Sequence, residues 1–409
     1  MKAKRILYIT YDGLTDPLGQ SQILPYLTGL AKEGYRFTIL SFEKKERYEQ
    51  LHSHIQQLAD TAGIEWVPLS FTSRPPVLSK YYDVLRMKRK AYALQRQKKF
   101  DMVHCRSYIA ADLGLKLKRR FGVRFFFDMR GFWADEKRDG GAWPDSHPIF
   151  RQVYRYYKKK ERQYLQEADY VISLTNAGKK EIQTWPGYDA KVPLAVIPCC
   201  ADMTHFSLTD AAARQEGRKR LHIAADRLVL SYLGSVGAWY MLDEMMGFYR
   251  QLLNTYPNAL FLIITHTNPA LIKESAVRHG IDEKALMIRE ASRQEVPVFI
   301  KASDINISFI KPVYSKLSSS PTKLGEVLAM GIPVIVNGGV GDVAEIVQQA
   351  QAGEVLYAFD EAAYQQVIES IPAMLRKDPA AIREKITPIY DLVKGIEAYQ
   401  AAYRQVLGA

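Results

Sequence analysis

The chain has 409 residues, 47% hydrophobic and 24% charged, a balance that excludes a disordered or fibrous protein and is long enough for two globular domains. Its net charge of +12 sits in the first half: residues 1–200 hold 35 Lys and Arg against 21 Asp and Glu, and residues 201–409 hold 21 against 23. No apolar run is long enough to span a bilayer, no secretory leader is expected at Met1-Lys-Ala-Lys-Arg5, and Cys105, Cys199 and Cys200 lack metal-ligand spacing, so reduced thiols and a cytoplasmic location are expected.

In chain order, strand-like runs fall at 5–10, 35–42, 64–68, 102–105, 124–128, 170–175 and 195–198, then at 228–233, 259–265, 285–288, 305–309, 333–337 and 353–356. Helical patterns fill the intervals, as at 21–33, 241–255 and 362–376. Continuous apolar strands alternating with helices predict parallel sheets covered on both faces. Two successive sets predict an α/β fold of two doubly wound, Rossmann-like domains. The junction is expected within 200–217, giving domains over 1–200 and 201–389. The segment 390–409 places Ile396, Tyr399, Tyr403 and Leu407 on one face and is expected to cross back to the first domain.

Ligands of doubly wound sheets bind beyond the carboxyl ends of strands, so the residues after each strand are the candidates. After the first come Gly13, Gly19 and Gln20, ahead of a helix expected near Ser21. Their glycines permit close approach to a pyrophosphate, and turns alone also explain them. The segment is neither a dinucleotide fingerprint nor a P-loop. Later strand ends carry His104-Cys-Arg106, Asp128-Met-Arg130, Gly234-Ser235 leading to Trp239 and Tyr240, and Asn337-Gly338-Gly339. Together they predict two walls of one cleft. His104 reads as a core histidine or a catalytic one, Asp128 and Arg130 as a structural ion pair or acceptor-side groups, and Trp239 and Tyr240 as packing or as stacking platforms.

The richest segment runs from Ser318 to Ile335. Ser320 suits an N-cap and Pro321 the first helical position, with Gly331 and Pro333 as the stop. Lys323 then falls in the first helical turn, where a cation is unfavourable unless an anion binds there too. Glu326 lies on the same face, and Gly325 leaves room for a ligand beside the backbone. A cation for phosphate beside a carboxylate for sugar hydroxyls suits a nucleotide-sugar; a solvated surface Lys and Glu is the alternative.

Pro321-Thr-Lys-Leu-Gly-Glu-Val-Leu-Ala-Met-Gly-Ile-Pro-Val-Ile335, followed by Gly341-Asp-Val-Ala-Glu-Ile346, resembles the motif of family-4 retaining glycosyltransferases of the GT-B fold. Ile197-Pro-Cys-Cys-Ala-Asp202 with Phe206, Ala168-Asp-Tyr-Val-Ile-Ser173 and Tyr232-Leu-Gly-Ser235 are similar to other family segments, and the resemblance covers nearly the whole chain. It implies a nucleotide-sugar donor on the C-terminal domain, an acceptor on the N-terminal one, retention at the anomeric carbon and no cofactor or bound metal. It also implies that Glu326 holds the ribose, that Lys323 and Ser320 with its helix start face the diphosphate, that Gly19 and Gln20 face it from the other domain, and that Gly234, Ser235 and Gly339 lie near the donor. Catalytic candidates are Lys323, His104, Arg106, Asp128 and Arg130. The chain departs from the family pattern at Ser318, where the family has the first glutamate of its Glu-x7-Glu pair, and between Gly234 and Tyr240, where an Arg and a Lys are missing. His104-Cys-Arg106 stands where many members have His-x-His.

The expected function is transfer of a sugar to a lipid-linked or saccharide acceptor in cell-envelope polysaccharide or glycolipid synthesis. The alternatives are a sugar-nucleotide epimerase or hydrolase of the same architecture, or a non-catalytic polyanion- or membrane-binding relative. Basic residues cluster at 80–99, 116–124 and 151–162, the last including Lys158, Lys159 and Lys160, with tyrosines interleaved. Such a patch suits the anionic inner face of the plasma membrane, or is a set of solvated helix faces. No nucleic-acid motif is present.

Overall fold

A computed structural model describes residues 3–408. The chain forms two compact units, Met1–Pro198 together with Leu392–Ala409, and Cys199–Asp391.

The first unit is built on seven parallel strands: β1 (Arg5–Ile9), β2 (Arg36–Glu43), β3 (Glu65–Ser70), β4 (Met102–Arg106), β5 (Arg124–Asp128), β6 (Tyr170–Ser173) and β7 (Leu194–Val196). Their order is β3-β2-β1-β4-β5-β6-β7. The order reverses direction between β1 and β4, which makes the carboxyl ends of those two strands the binding crevice of this sheet. Phe125, Phe126 and Phe127 are fully buried, as a strand covered on both faces requires. The expected helix over 21–33 is two helices, Pro17–Gln22 and Leu24–Lys32, broken at Ile23. Pro25 explains the break: its ring clashes with a carbonyl one turn back and cannot continue a helix, yet it fits the first turn of a new one. The terminal helix, Leu392–Leu407, packs on Leu24–Lys32 within this unit. Gly29 makes the approach possible, since a Cβ there would stand 2.3 Å from Ile396 Cδ1.

The second unit has six parallel strands: β8 (Val229–Leu233), β9 (Leu260–Ile264), β10 (Leu286–Arg289), β11 (Ile305–Ser308), β12 (Val334–Asn337) and β13 (Gly353–Leu356). Their order is β10-β9-β8-β11-β12-β13, with the reversal between β8 and β11. Buried Asn306 on β11 ties that junction, donating from Nδ2 to Ser231 O and Ser231 Oγ, both at 3.0 Å. The helix Thr322–Ala329 lies in the connection from β11 to β12 and buries Val327, Leu328 and Ala329 completely. It ends at Met330, and Gly331 follows in the left-handed conformation (φ 74°), the stop read from the sequence.

Candidate active site

In the second unit the loop after β8 and the helix after β11 meet at the sheet reversal. Lys323, in the first turn of Thr322–Ala329, reaches back to β8. Its Nζ donates to Tyr232 Oη at 3.0 Å and lies 3.5 Å from the centroid of the Tyr240 ring. Tyr232 in turn donates to Ser235 O at 2.6 Å, so its oxygen faces Lys323 as an acceptor. Gly234 sits at φ 126°, and a Cβ there would stand 2.8 Å from Lys323 Nζ; glycine serves both the backbone and the lysine. Burial holds Lys323 well below the ordinary lysine pKa, with Glu326 pulling weakly the other way. A part-buried lysine whose direct contacts are a phenol oxygen and ring faces keeps its attraction for an incoming anion.

Glu326 is buried, and Arg293 Nη1 donates to its Oε1 at 2.6 Å. Burial raises the Glu326 pKa, and Arg293 opposes that rise. The Arg293 guanidinium lies over the Phe206 ring at 4.9 Å, and its carbonyl is 2.9 Å from His205 Nε2. Arg293 was not anticipated from the sequence, because nothing local marks it as the partner of a glutamate 33 residues on.

Other expectations for this unit change. Ser320 is not the helix cap: the N-cap position is Pro321, without a side-chain cap, and Ser320 Oγ instead accepts from Cys199 N at 3.1 Å. Pro321 has no N–H to donate, so the cap falls at the proline and the serine is left to bind the chain beside it. Gly325 faces the Tyr390 ring, 3.1 Å from a built Cβ, so its small size serves helix packing and not a ligand. Asn337 clamps the end of β11, with Oδ1 accepting from Ile310 N and Nδ2 donating to Ile310 O, both at 2.8 Å. Gly339 is exposed in the left-handed conformation (φ 77°) against Pro312, and Ser235 is exposed. Ser318 is buried, its Oγ donating to Ser315 O at 2.9 Å.

In the first unit, the loop after β1 is organised by a carboxylate. Buried Glu43 accepts from Leu14 N at 2.8 Å, from Thr15 N at 3.1 Å and from Thr15 Oγ1 at 2.6 Å. A carboxylate of β2 thus ties down two N–H groups of the loop after β1. Gly19 does not precede the helix but lies inside Pro17–Gln22, where a Cβ would come within 2.1 Å of Gly13 O. Its size is fixed by its own loop. Gln20 Nε2 donates to Thr15 O at 3.1 Å.

The ends of β4 and β5 carry the remaining candidates. His104 Nδ1 is 2.6 Å from Tyr403 Oη, and its Nε2 is 3.5 Å from Asp128 Oδ2. Tyr399 donates to the same Asp128 oxygen at 3.0 Å. A neutral His104 protonated on Nε2 satisfies all three contacts. Burial pushes the His104 pKa down, against Asp128. Burial alone would raise Asp128, but Arg130, His104 and Arg106 together hold it below the usual carboxylate value. Arg130 Nη1 lies 3.9 Å from Asp128 Oδ1, and Arg130 is held at φ 57°. Arg106 is buried, its Nε donating to Asp12 Oδ2 at 3.3 Å, and its Nη1 has no hydrogen-bond partner among the described residues. His104 and Asp128 thus form one buried network with two tyrosines of the terminal helix. The sequence showed Tyr399 and Tyr403 on one face, but not what that face met.

Of the basic triplet in helix Pro148–Glu167, Lys158 pairs with Asp135 Oδ2 (2.9 Å) and Glu161 Oε1 (2.5 Å), and Lys160 with Asp112 Oδ1 (3.1 Å). The exposed cations of this helix are instead Arg151, Arg155, Lys159 and Arg162. Among the described residues, no group of three His, Cys, Asp or Glu is placed to hold a metal ion, and no helix is long and apolar enough to cross a membrane.

Glycosyltransferase Family 4 matches residues 23–205, and Glycosyl transferases group 1 matches residues 213–385. No curated protein matches by sequence. Similar solved structures include sucrose-phosphate synthase from Thermosynechococcus elongatus (15% identity, TM-score 0.78, 99% of both chains). WaaG, a glycosyltransferase involved in lipopolysaccharide biosynthesis, is similar at 14% identity and TM-score 0.70, over 99% of this chain and 100% of that one. Anabaena HepE in complex with UDP and glucose is similar at 13% identity and TM-score 0.69, over 97% of this chain and 98% of that one. With both halves matched in order and two parallel sheets wound as described, the chain belongs to the family-4 glycosyltransferases of the GT-B fold.

Proposed function

We propose that this glycosyltransferase takes a sugar from a nucleotide-sugar bound by its second unit and passes it, with retention, to a lipid-linked or saccharide acceptor in cell-envelope polysaccharide or glycolipid synthesis. The observation that carries the donor reading is Lys323, held by Tyr232 and Tyr240 at the sheet reversal with Glu326 one turn on. The UDP and glucose bound by HepE support a donor of this class.

Cleavage of the sugar–phosphate bond builds negative charge on the departing diphosphate. A fixed cation and helix N–H groups aimed there lower the barrier, and removal of one such donor typically costs roughly 10²–10³ in rate. Lys323 takes that role, Glu326 accepts from the ribose hydroxyls, and no metal is assigned a part. Retention follows from attack on the face the diphosphate leaves, with the diphosphate taking the acceptor proton. On the first unit, Arg106 and Arg130 at the ends of β4 and β5 are assigned to the acceptor, with His104 and Asp128 beneath them as support. Arg151, Arg155, Lys159 and Arg162, beside exposed Tyr156 and Ile149, are assigned to an anionic membrane surface.

Incubation with a panel of radiolabelled sugar nucleotides and a membrane extract, in the presence of a chelator, tests this reading. Label entering lipid or saccharide with the donor's anomeric configuration supports it. Free sugar, epimerised donor, or binding without turnover overturns it.

A further inference from the structure

Glu326 has one carboxylate oxygen engaged and one to spare. Arg293 holds Oε1, and Oε2 has no hydrogen-bond partner among the described residues. Glu326 is only 5% exposed, so an acceptor buried this far is aimed by what grips it, and that group is Arg293.

Arg293 is itself held at both ends by a turn from a distant part of the chain. It lies between β10 and the helix Val296–Lys301. Its guanidinium covers the buried Phe206 ring, and its carbonyl faces His205 Nε2 at 2.9 Å. A carbonyl can only accept, so Nε2 carries the proton and donates. The His205 ring stands edge-on to Phe206, with centroids 4.8 Å apart and planes at 85°. Asp202 Oδ1 closes the turn, accepting from Thr204 N at 2.9 Å and from His205 N at 3.1 Å.

The turn is also in register with the helix that bears Glu326. Arg383, in the helix Pro379–Tyr390, donates to Met203 O at 2.8 Å, to Phe206 O at 2.9 Å and to Ala329 O at 2.7 Å. Ala329 is the last residue of Thr322–Ala329. The contacts therefore close a ring, from Glu326 through Arg293 to His205 and Phe206, then through Arg383 back to the helix of Glu326. An arginine on a single contact keeps much of its rotamer freedom. Fixed at carbonyl and guanidinium together, Arg293 presents one geometry to Glu326.

Resting on the assignment of Glu326 to the ribose, we propose that His205 is a positioning residue of the donor site. By fixing the Arg293 backbone it sets the direction in which Glu326 Oε2 meets the ribose hydroxyls.

The test is calorimetric titration of the full chain with UDP, GDP and ADP and with their 2′,3′-dideoxy counterparts, which lack the hydroxyls Glu326 would bind. The wild type should prefer its tightest ribonucleoside diphosphate over the dideoxy form about tenfold or more. His205→Leu should cut that preference about fivefold and leave affinity for the dideoxy form within about twofold. His205→Gln, whose amide nitrogen can stand where Nε2 stands, should restore it. Should His205→Leu not fold, His205→Asn, too short to reach the carbonyl, takes its place. The proposal is overturned if the leucine variant keeps the full preference, if it loses both ligands equally, or if His205→Gln is as weak as His205→Leu. Glu326→Ala separates the two levels. A preference lost there but kept in His205→Leu leaves the ribose assignment intact and removes His205. A preference that survives Glu326→Ala, or is missing from the wild type, removes the ribose assignment and this proposal together.

Discussion

Lys323 Nζ rests 3.5 Å from the centre of the Tyr240 ring, on a part-buried edge where an unoccupied ammonium is a burden. A base whose folded pKa lies below its unfolded one binds fewer protons when folded, so its contribution to stability rises with pH and is unfavourable at neutrality. Lys323→Met should therefore melt no lower than wild type at pH 7, and about 2 °C higher, while losing nucleoside diphosphate affinity. A clear drop in melting temperature would make Lys323 a structural residue.

The same shift gives a binding signature. An arriving diphosphate favours the charged lysine, so binding should take up a proton wherever the pH lies between the free and bound values of Lys323. Affinity then falls as the pH rises through that window. Calorimetry in buffers of different ionisation enthalpy measures the uptake directly, and Lys323→Met should abolish it.

Arg293 is the counter-charge of a buried carboxylate. Its loss leaves Glu326 to be protonated or unpaired, so Arg293→Met should cost about 1–3 kcal/mol of stability, less than a fully buried pair because Arg293 is partly exposed. Nucleoside affinity should fall too, and should fall further as the pH falls, because burial, no longer opposed by Arg293, raises the Glu326 pKa and protonation removes the carboxylate that accepts from the ribose. Denaturant melts and nucleoside titrations at two pH values check both parts.

His104 is held neutral by burial. Its folded pKa is below the ordinary 6.5, so the unfolded chain takes up the proton first, and stability is lost as the pH falls below 6.5. His104→Gln should flatten this dependence by roughly 1 kcal/mol between about pH 5 and 6.5. Tyr403→Phe, which strips the partner from Nδ1, should cost about 1–2 kcal/mol at pH 7. Chemical denaturation across pH measures each.

Membrane attachment is testable without disturbing the fold if the right cations are chosen. Reversing Lys158 would break its pairs with Asp135 and Glu161 and confuse the outcome. Arg151→Glu with Arg155→Glu and Lys159→Glu should reduce sedimentation with vesicles of anionic lipid about tenfold or more, at roughly 1 kcal/mol per charge, and should leave nucleotide affinity unchanged. Unaltered sedimentation returns this face to a solvated surface.

The architecture was legible because each strand is a short apolar run bounded by polar residues, a pattern that needs no knowledge of its neighbours. All thirteen expected strand positions coincide with strands of the structure. Lys323 and Glu326 were legible for a similar reason, since helical spacing alone puts them on one face. The groups around them were not. Tyr232 precedes Lys323 by 91 residues and Tyr403 follows His104 by 299, and no periodicity links such pairs. Ser320 misled because a serine before a proline fits two local geometries, and contact with Cys199 selected the other one.

The path of the chain decides how this protein can be dissected. Residues Cys199–Asp391 enclose a complete six-stranded sheet in one uninterrupted stretch, whereas the seven-stranded sheet draws its last helix from the far terminus. A stop after Asp391 would thus spare every strand and still strip His104 and Asp128 of their phenolic partners. A lesion at the extreme end of the polypeptide would be felt beside the strands laid down at its beginning.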